Sequence, residues 1–141
     1  MEECIFCKIV SGDIPCAQVY ADEAVLSFLD IAPIAEGHTL VIPRTHYPTL
    51  WDVPKEEGDH LLAVLQKVGR AVLSASRATG LNVVMNNYAS AGQVVPHAHW
   101  HLIPRKDGDG LMRVVQQEYG SQEAMQAMAE KLRAALDNSQ S

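Results

Sequence analysis

Three of the six histidines recur at every second position of one short segment. His97, His99 and His101 lie in a run rich in aromatic and branched residues, which we expect Pro104 to stop. This composition is typical of a β-strand, in which alternate side chains project from one face. Successive imidazoles would then stand about 6.5–7 Å apart, a spacing that suits several groups around one small anionic substrate. The sequence therefore predicts a functional site along this row.

A second motif with chemical potential is the C-x-x-C pair of Cys4 and Cys7, which we expect to form a turn. Such a pair supplies half of a tetrahedral zinc site, and distant histidines commonly supply the rest. A redox role is less expected, because the pair does not follow a strand in a βαβ unit. The third cysteine, Cys16, lies outside any pair motif and is interpreted as a packing residue.

The composition indicates one globular domain that extends over residues 1–141. The chain is 48% hydrophobic and 20% charged, and it is long enough to bury its own core. Since no apolar run has the length of a membrane span and the first residues do not resemble a signal peptide, we expect a cytoplasmic protein. The net charge of −6 argues against binding to a nucleic-acid backbone, so an anionic ligand must be held by local donors.

The elements that must position these residues follow from hydrophobic periodicity. Apolar residues at three- and four-residue steps over 54–79 predict a long amphipathic helix, which Gly80 would end. The methionines and leucines of residues 120–137 predict a C-terminal helix. Strands are predicted at 18–20, 25–29, 38–42 and 81–85 and along the histidine row. Together these elements predict an α+β fold with an antiparallel sheet of about five strands.

The histidine row and its surroundings resemble the histidine-triad (HIT) superfamily. His-x-His-x-His followed by two apolar residues is the signature of that family, and the resemblance extends in order over about residues 4–105. The other matching stretches are Cys4-Ile5-Phe6-Cys7-Lys8-Ile9, Phe28-Leu29-Asp30, Gly37-His38-Thr39-Leu40-Val41-Ile42-Pro43 and Gly92-Gln93. The chain is most similar to the bacterial and Hint-type branch, which implies the HIT fold.

The resemblance implies an enzyme that hydrolyses or transfers nucleotides at an α-phosphate. His99 matches the nucleophile, His101 the histidine that contacts the phosphate and leaving group, and His38 the upstream histidine of the constellation. The central place of His99 suits its role, because its neighbours can contact the oxygens and the leaving group while it attacks. Attack would give a nucleotidyl-histidine, and water would then release a nucleoside monophosphate.

The resemblance also implies the substrate contacts. Asp30 matches a ribose contact, and Asn86 and Gln93 match polar positions on the phosphate side. Val94 stands where many relatives carry a serine or threonine, so substrate preference or rate can differ here. Purine nucleoside phosphoramidates are the favoured substrates, and dinucleoside polyphosphates are the enzymatic alternative. A further alternative is a nucleotide-binding scaffold in which turnover is vestigial.

Zinc-bearing relatives use two cysteines together with histidines at the positions of His46 and His97. The resemblance therefore implies that Cys4, Cys7, His46 and His97 hold a structural zinc ion, and it also implies a homodimer. An alternative hypothesis places all three row histidines on one catalytic metal, as in three-histidine zinc hydrolases.

Overall fold

A five-stranded antiparallel sheet lies at the centre of the computed structural model, which describes residues 3–138. The strands are β1 (Gln18–Ala21), β2 (Val25–Leu29), β3 (Thr39–Pro43), β4 (Gly80–Val84) and β5 (Trp100–Arg105), and the helices are α1 (Ile5–Ser11), α2 (Gly58–Ser76) and α3 (Gln122–Asp137). The spatial order of the strands is β1-β2-β3-β5-β4. The predicted α+β fold with an antiparallel sheet is confirmed.

Both faces of the sheet are covered, because successive side chains of a strand point to opposite sides. One face packs against α2, in a cluster of Val25, Val41, Leu61, Val64, Val68, Val72 and Leu102. The other face packs against the N-terminal segment, in a cluster of Cys4, Phe6, Leu26, Phe28, Leu40 and Ile42. The C-x-x-C segment is therefore anchored on the face of the sheet opposite to the long helix.

The C-x-x-C pair begins a helix and does not form the turn that the sequence suggested. Cys4 is the N-cap of α1, and the helix ends at Gly12, which has a φ of 88°. The Cys4 sulfur accepts a hydrogen bond from the backbone N–H of Cys7 at 3.3 Å. This geometry brings both thiols to the same end of the helix.

The long helix is shorter at both ends than its hydrophobic pattern predicts. Pro54 precedes a 3₁₀ turn, and α2 itself begins at Gly58. The helix ends at Ser76 because Arg77 takes the left-handed conformation, with a φ of 57°. Gly80 was predicted to end the helix, but it opens β4.

The fifth strand begins at Trp100, so the prediction that the whole histidine row lies on a strand is wrong. The strand also continues through Pro104, which was expected to stop it. A proline tolerates this place because the ladder with β3 ends at the pair Thr39–Leu102, whereas Arg105 still pairs with β4. Alternate residues of a strand bond to opposite neighbours, so the proline nitrogen faces the side where no ladder bond is required.

The chain divides into two compact units, one that ends at Leu111 and one that begins at Met112. The second unit contains α3, whose N-cap Ser121 accepts a hydrogen bond from the Ala124 N–H at 3.0 Å. The predicted C-terminal helix is confirmed. Among residues 3–138, no helix is both long enough and apolar enough to cross a membrane.

Candidate active site and metal centre

The histidine row is shared between two clusters, because its first part enters the sheet from an irregular loop. The loop is held by a hydrogen bond of 2.6 Å from the Ala98 N–H to the Tyr47 carbonyl. The His97 imidazole lies beside the N-terminal cysteines. The rings of His99 and His101 instead lie together, with centroids 4.9 Å apart.

The first cluster contains Cys4, Cys7, His46 and His97, whose ligand atoms all lie within 4.8 Å of one another. The Cys4 Sγ is 3.4 Å from the His97 Nδ1, and the Cys7 Sγ is 3.3 Å from the His46 Nδ1 and 3.6 Å from the His97 Nδ1. Tetrahedral zinc, with bonds of about 2.3 Å to sulfur and 2.0–2.1 Å to nitrogen, separates such atoms by about 3.6 Å. The cluster therefore has the donor set and the spacing of a tetrahedral metal site.

A backbone carbonyl orients the ring of His97 toward the sulfurs. Its Nε2 lies 2.8 Å from the carbonyl oxygen of Pro43, which can only accept a hydrogen bond. The proton of the neutral ring is therefore on Nε2, and the lone pair of Nδ1 faces the two sulfurs. Metal-binding histidines commonly donate their second N–H in this way.

The electrostatics of this cluster differ between its imidazoles and its thiols. Burial lowers the pKa values of His46 and His97, so both imidazoles stay neutral and keep a free lone pair. Burial and the neighbouring Cys4 raise the pKa of the Cys7 thiol. Two thiols whose sulfur atoms lie within 4.8 Å of each other resist joint ionisation unless a cation lies between them.

The second cluster is a chain of hydrogen bonds that ends on His101. The backbone N–H of Ile34 lies 3.0 Å from the His38 Nδ1, and because an amide can only donate, this nitrogen accepts. The proton of the neutral His38 ring is therefore on Nε2, which lies 2.9 Å from the His101 Nδ1. That nitrogen accepts in turn, so the proton of His101 is on its Nε2.

The tautomer of His99 is the opposite of that of His101. Its Nδ1 lies 2.7 Å from the carbonyl oxygen of His97, so Nδ1 carries the proton and Nε2 carries the lone pair. The neighbouring rings of His99 and His101 therefore offer a nucleophilic nitrogen and an N–H donor, respectively. This pair can attack an electrophile and protonate what leaves it.

Burial keeps the three imidazoles of this cluster neutral. It lowers the pKa of His38 and of His99. Burial, with smaller contributions from the two neighbouring histidines, lowers the pKa of His101 to about 4. The carboxylate of Asp30 opposes these shifts without overcoming them. The tautomers deduced from the hydrogen bonds therefore describe the cluster near neutral pH.

Asp30, His38 and His101 also have ligand atoms within 4.8 Å of one another, but their protons do not suit a metal. A metal at this place requires the lone pair of the His38 Nε2, and the Ile34 N–H puts the ring proton on that nitrogen. The geometry also does not support the alternative of one catalytic metal on the three row histidines, because His97 and His99 point to different partners.

The predicted substrate residues lie outside the helices and strands, and the contacts of Asp30 reach the second cluster. Asp30 places one carboxylate oxygen 3.6 Å from the His38 Nε2, and the other accepts the Ala32 N–H at 2.8 Å. Asn86 donates to the Gly92 carbonyl at 3.4 Å. Gln93 uses its amide on backbone groups of Tyr88, Pro48 and Val95. In this structure Asn86 and Gln93 support the loop before the row, and their contact with a substrate stays a prediction.

Sequence reasoning missed several groups that complete the two clusters. One of them is Phe6, which lies between the two cysteines in the sequence. Its ring contacts the rings of His97 and His99, with centroid distances of 5.8 and 5.1 Å. Its only signal was an aromatic residue inside the C-x-x-C pair. The backbone groups of Ile34 and Pro43 carry no signal, because every residue has similar ones.

The family model described as HIT domain matches residues 11–108. The chain belongs to the HIT family. It is 48% identical over 111 residues to Protein hit of Bacillus subtilis, an alignment that covers 78% of this chain and 77% of that protein. The crystal structure of a HIT family member from the same organism superposes with a TM-score of 0.85 at 41% identity, and the match covers 94% of this chain and 96% of that one.

Two HIT relatives of this chain are named for an activity. One is an adenylylsulfatase of Arabidopsis thaliana, 40% identical over 109 residues, which cover 77% of this chain and 55% of that protein. The other is an adenosine 5'-monophosphoramidase of Candida albicans, 43% identical over 108 residues, which cover 74% of this chain and 71% of that protein.

A zinc-bound HIT protein is also among the similar solved structures. This histidine triad family protein from Mycobacterium smegmatis superposes with a TM-score of 0.74 at 39% identity, and the match covers 95% of this chain and 98% of that one.

Proposed function

We propose that this HIT protein hydrolyses nucleotide conjugates by attack of His99 on the α-phosphorus. The observation that supports this most directly is the pair of opposite tautomers. The His99 Nε2 carries a lone pair and the His101 Nε2 carries a proton, and the two rings are neighbours. Displacement of an amine from phosphorus requires both a nucleophile and a proton for the leaving group.

In the first step, the His99 Nε2 bonds to the α-phosphorus while the bond from phosphorus to the leaving nitrogen breaks. The leaving nitrogen takes the electron pair of that bond, together with the proton of the His101 Nε2. His99 keeps its Nδ1 proton on the His97 carbonyl and becomes cationic. Its ring centroid lies 4.9 Å from that of His101, so the positive charge stabilises the negative charge left there.

In the second step, a water oxygen bonds to the phosphorus and a water proton returns to the His101 Nε2. The bond between the phosphorus and the His99 Nε2 breaks, and the electron pair returns to the ring. The products are a nucleoside monophosphate and an amine, and both histidines regain their starting tautomers. The burial that lowers the pKa values of both rings favours this neutral resting state.

Nucleoside phosphoramidates are the proposed substrate class. An amine is a poor leaving group unless it is protonated, whereas a phosphate leaves without a proton. The chain from Ile34 through His38 holds a proton on the His101 Nε2, and this proton matters most for an amine. Similarity to the phosphoramidase of Candida albicans and to the adenylylsulfatase of Arabidopsis thaliana supports hydrolysis of an adenylyl conjugate.

Zinc is the proposed occupant of the first cluster, with a structural role. The four ligands leave no open position in a tetrahedral site, which distinguishes structural from catalytic zinc. When bound, the ion would hold the N-terminal segment through Cys4 and Cys7 to the loops that carry His46 and His97. Similarity to the zinc-bound protein of Mycobacterium smegmatis supports this assignment.

We also propose a cytoplasmic homodimer joined along the edge of the sheet. The edge strand β4 pairs only with β5, and its Val83 side chain is 52% exposed. Trp51 and Leu62 are also largely exposed, at 65% and 56%. A second copy would cover apolar surface of this kind. The mass in solution is then twice 15.4 kDa.

The test is turnover on a small panel that contains adenosine 5'-phosphoramidates and diadenosine polyphosphates. We expect faster release of adenosine monophosphate from the phosphoramidates, and acid-quenched mass spectrometry should detect an adenylyl adduct on His99. An adduct on another histidine would exclude the mechanism. Faster turnover of the polyphosphates would favour the alternative substrate class, and binding without turnover would favour a scaffold.

A further inference from the structure

We propose that Phe6 is a positioning residue through which the first cluster, from here on called the metal cluster, fixes the imidazole of His99. The inference rests on the proposed role of His99 as nucleophile. Phe6 belongs to neither cluster as a ligand or a proton donor. It lies in α1 between Cys4 and Cys7, and its side chain is 7% exposed.

The ring of Phe6 contacts one histidine of each cluster. It meets the His99 ring edge to face, with an interplanar angle of 90° and centroids 5.1 Å apart. It meets the His97 ring at 74° with centroids 5.8 Å apart. Such perpendicular contacts are a preferred geometry for aromatic rings, and they restrict rotation of the partner.

His99 is therefore restrained from two directions, and both restraints begin at the metal cluster. One is the Phe6 ring, whose helix is tied to the cluster by the sulfurs on either side of it. The other is the His97 carbonyl, which accepts the Nδ1 proton of His99 at 2.7 Å. A metal that holds Cys4, Cys7 and His97 would fix both restraints at once.

The expected consequence is loss of alignment of the nucleophile when the Phe6 ring is removed. Without that ring, the His99 side chain can rotate and exchange its hydrogen bond with the carbonyl for one with water. A misplacement of about 1 Å can cost about a hundredfold in rate. Binding of the nucleotide depends less on this alignment, so kcat should fall more than KM rises.

The chain contains a matched control. Phe28 packs in the same hydrophobic cluster as Phe6 and is 3% exposed. Its ring meets the Phe6 ring edge to face, with centroids 5.6 Å apart. Among the aromatic pairs of residues 3–138, it pairs only with Phe6. Phe28→Leu therefore removes a similar amount of core packing without removing a contact with His99.

The experiment compares Phe6→Leu, Phe28→Leu and Phe6→Tyr, each loaded with zinc and free of nucleotide. Nitrogen NMR of the labelled histidines reports whether the His99 Nδ1 proton stays on the ring and exchanges slowly. We expect Phe6→Leu to lose this protected signal while it retains one zinc per chain, and its kcat to fall about ten- to a hundredfold. Phe28→Leu should retain the signal, and Phe6→Tyr, which keeps the ring, should restore it.

The inference is overturned if Phe6→Leu keeps the protected His99 signal, or if Phe28→Leu loses it equally. Wild type from which zinc has been withheld, at a temperature where circular dichroism shows a retained fold, should resemble Phe6→Leu. An unchanged signal there would disconnect the metal from His99. The NMR results do not depend on turnover, so an inactive wild type would refute the proposed function and leave the role of Phe6 to be decided separately.

Discussion

The histidines of the two clusters differ in whether the free ring nitrogen carries a lone pair or a proton, and their backbone partners explain the difference. In the metal cluster, the Pro43 carbonyl takes the proton of His97 away from the sulfurs, so the ring presents a lone pair. In the second cluster, the His97 carbonyl likewise leaves a lone pair on the other ring nitrogen of His99, but the Ile34 N–H has the reverse effect on His38 and, through it, on His101.

A carbonyl that accepts the proton of one ring nitrogen leaves a lone pair on the other, as a metal ligand or a nucleophile requires, whereas an amide that donates to one ring nitrogen leaves the proton on the other. Proximity of histidines alone does not distinguish these functions, because both clusters contain ligand atoms within 4.8 Å of one another. The backbone partners favour a metal at the first cluster and proton transfer at the second. Three measurements test this distinction.

The largest effect is expected for His99→Asn. This change removes the covalent route, so turnover should fall roughly a thousandfold or more. Zinc content and thermal stability should stay close to wild type, because His99 is not a proposed ligand. A matched control is His60→Asn, since this half-exposed imidazole bonds to Asp22 in another part of the chain. Retention of most of the activity by His99→Asn would remove it from the mechanism.

Metal removal should mainly reduce stability. Cys7→Ser replaces a proposed thiolate ligand, so we expect elemental analysis to show loss of the one zinc per chain that we propose for the wild type. The melting temperature should fall by about 10 °C, since each kcal/mol shifts the midpoint of a domain of this size by a few degrees. Cys16→Ser is the control, because Cys16 lies outside the cluster.

A zinc content well below one per chain in wild type purified without chelator would contradict the assignment. Loss of turnover on chelation without loss of stability would favour a catalytic metal.

A smaller effect is expected from pH. Burial lowers the pKa of His101 to about 4 in the folded protein, below the value near 6.5 of the unfolded chain. The unfolded state therefore binds the proton first, and stability that is complete above pH 6.5 is lost as the pH falls toward 4. At pH 5 this histidine should cost about 2 kcal/mol. Comparison of the melting temperatures of wild type and His101→Gln at pH 7 and pH 5 measures this cost. Equal shifts in both proteins would show that other groups cause the acid sensitivity.

Much of the fold could be predicted from the sequence, because strands and helices with one buried side leave a periodic pattern. Four of the five strands and both long helices lie close to their predicted positions. One error is α1, a helix of 7 residues where a turn was expected. The other errors lie at the ends of elements, where local backbone conformation competes with the pattern. Arg77 ends α2 in a left-handed conformation that its residue type does not predict. Pro104 remains in β5 because the pairing of β5 with β3 ends before this residue.

The sequence alone determined which side chains could do chemistry, since thiols and imidazoles at these spacings have few other uses in combination. It did not determine how His97 separates from His99 and His101, because that depends on where β5 begins. Nor did it indicate which imidazole nitrogen carries the proton. Tertiary structure decided this by placing the carbonyls of Pro43 and His97 and the N–H of Ile34 beside the rings. Nearly every residue carries such backbone groups, so only their position in the folded chain decides which nitrogen of each histidine holds the proton.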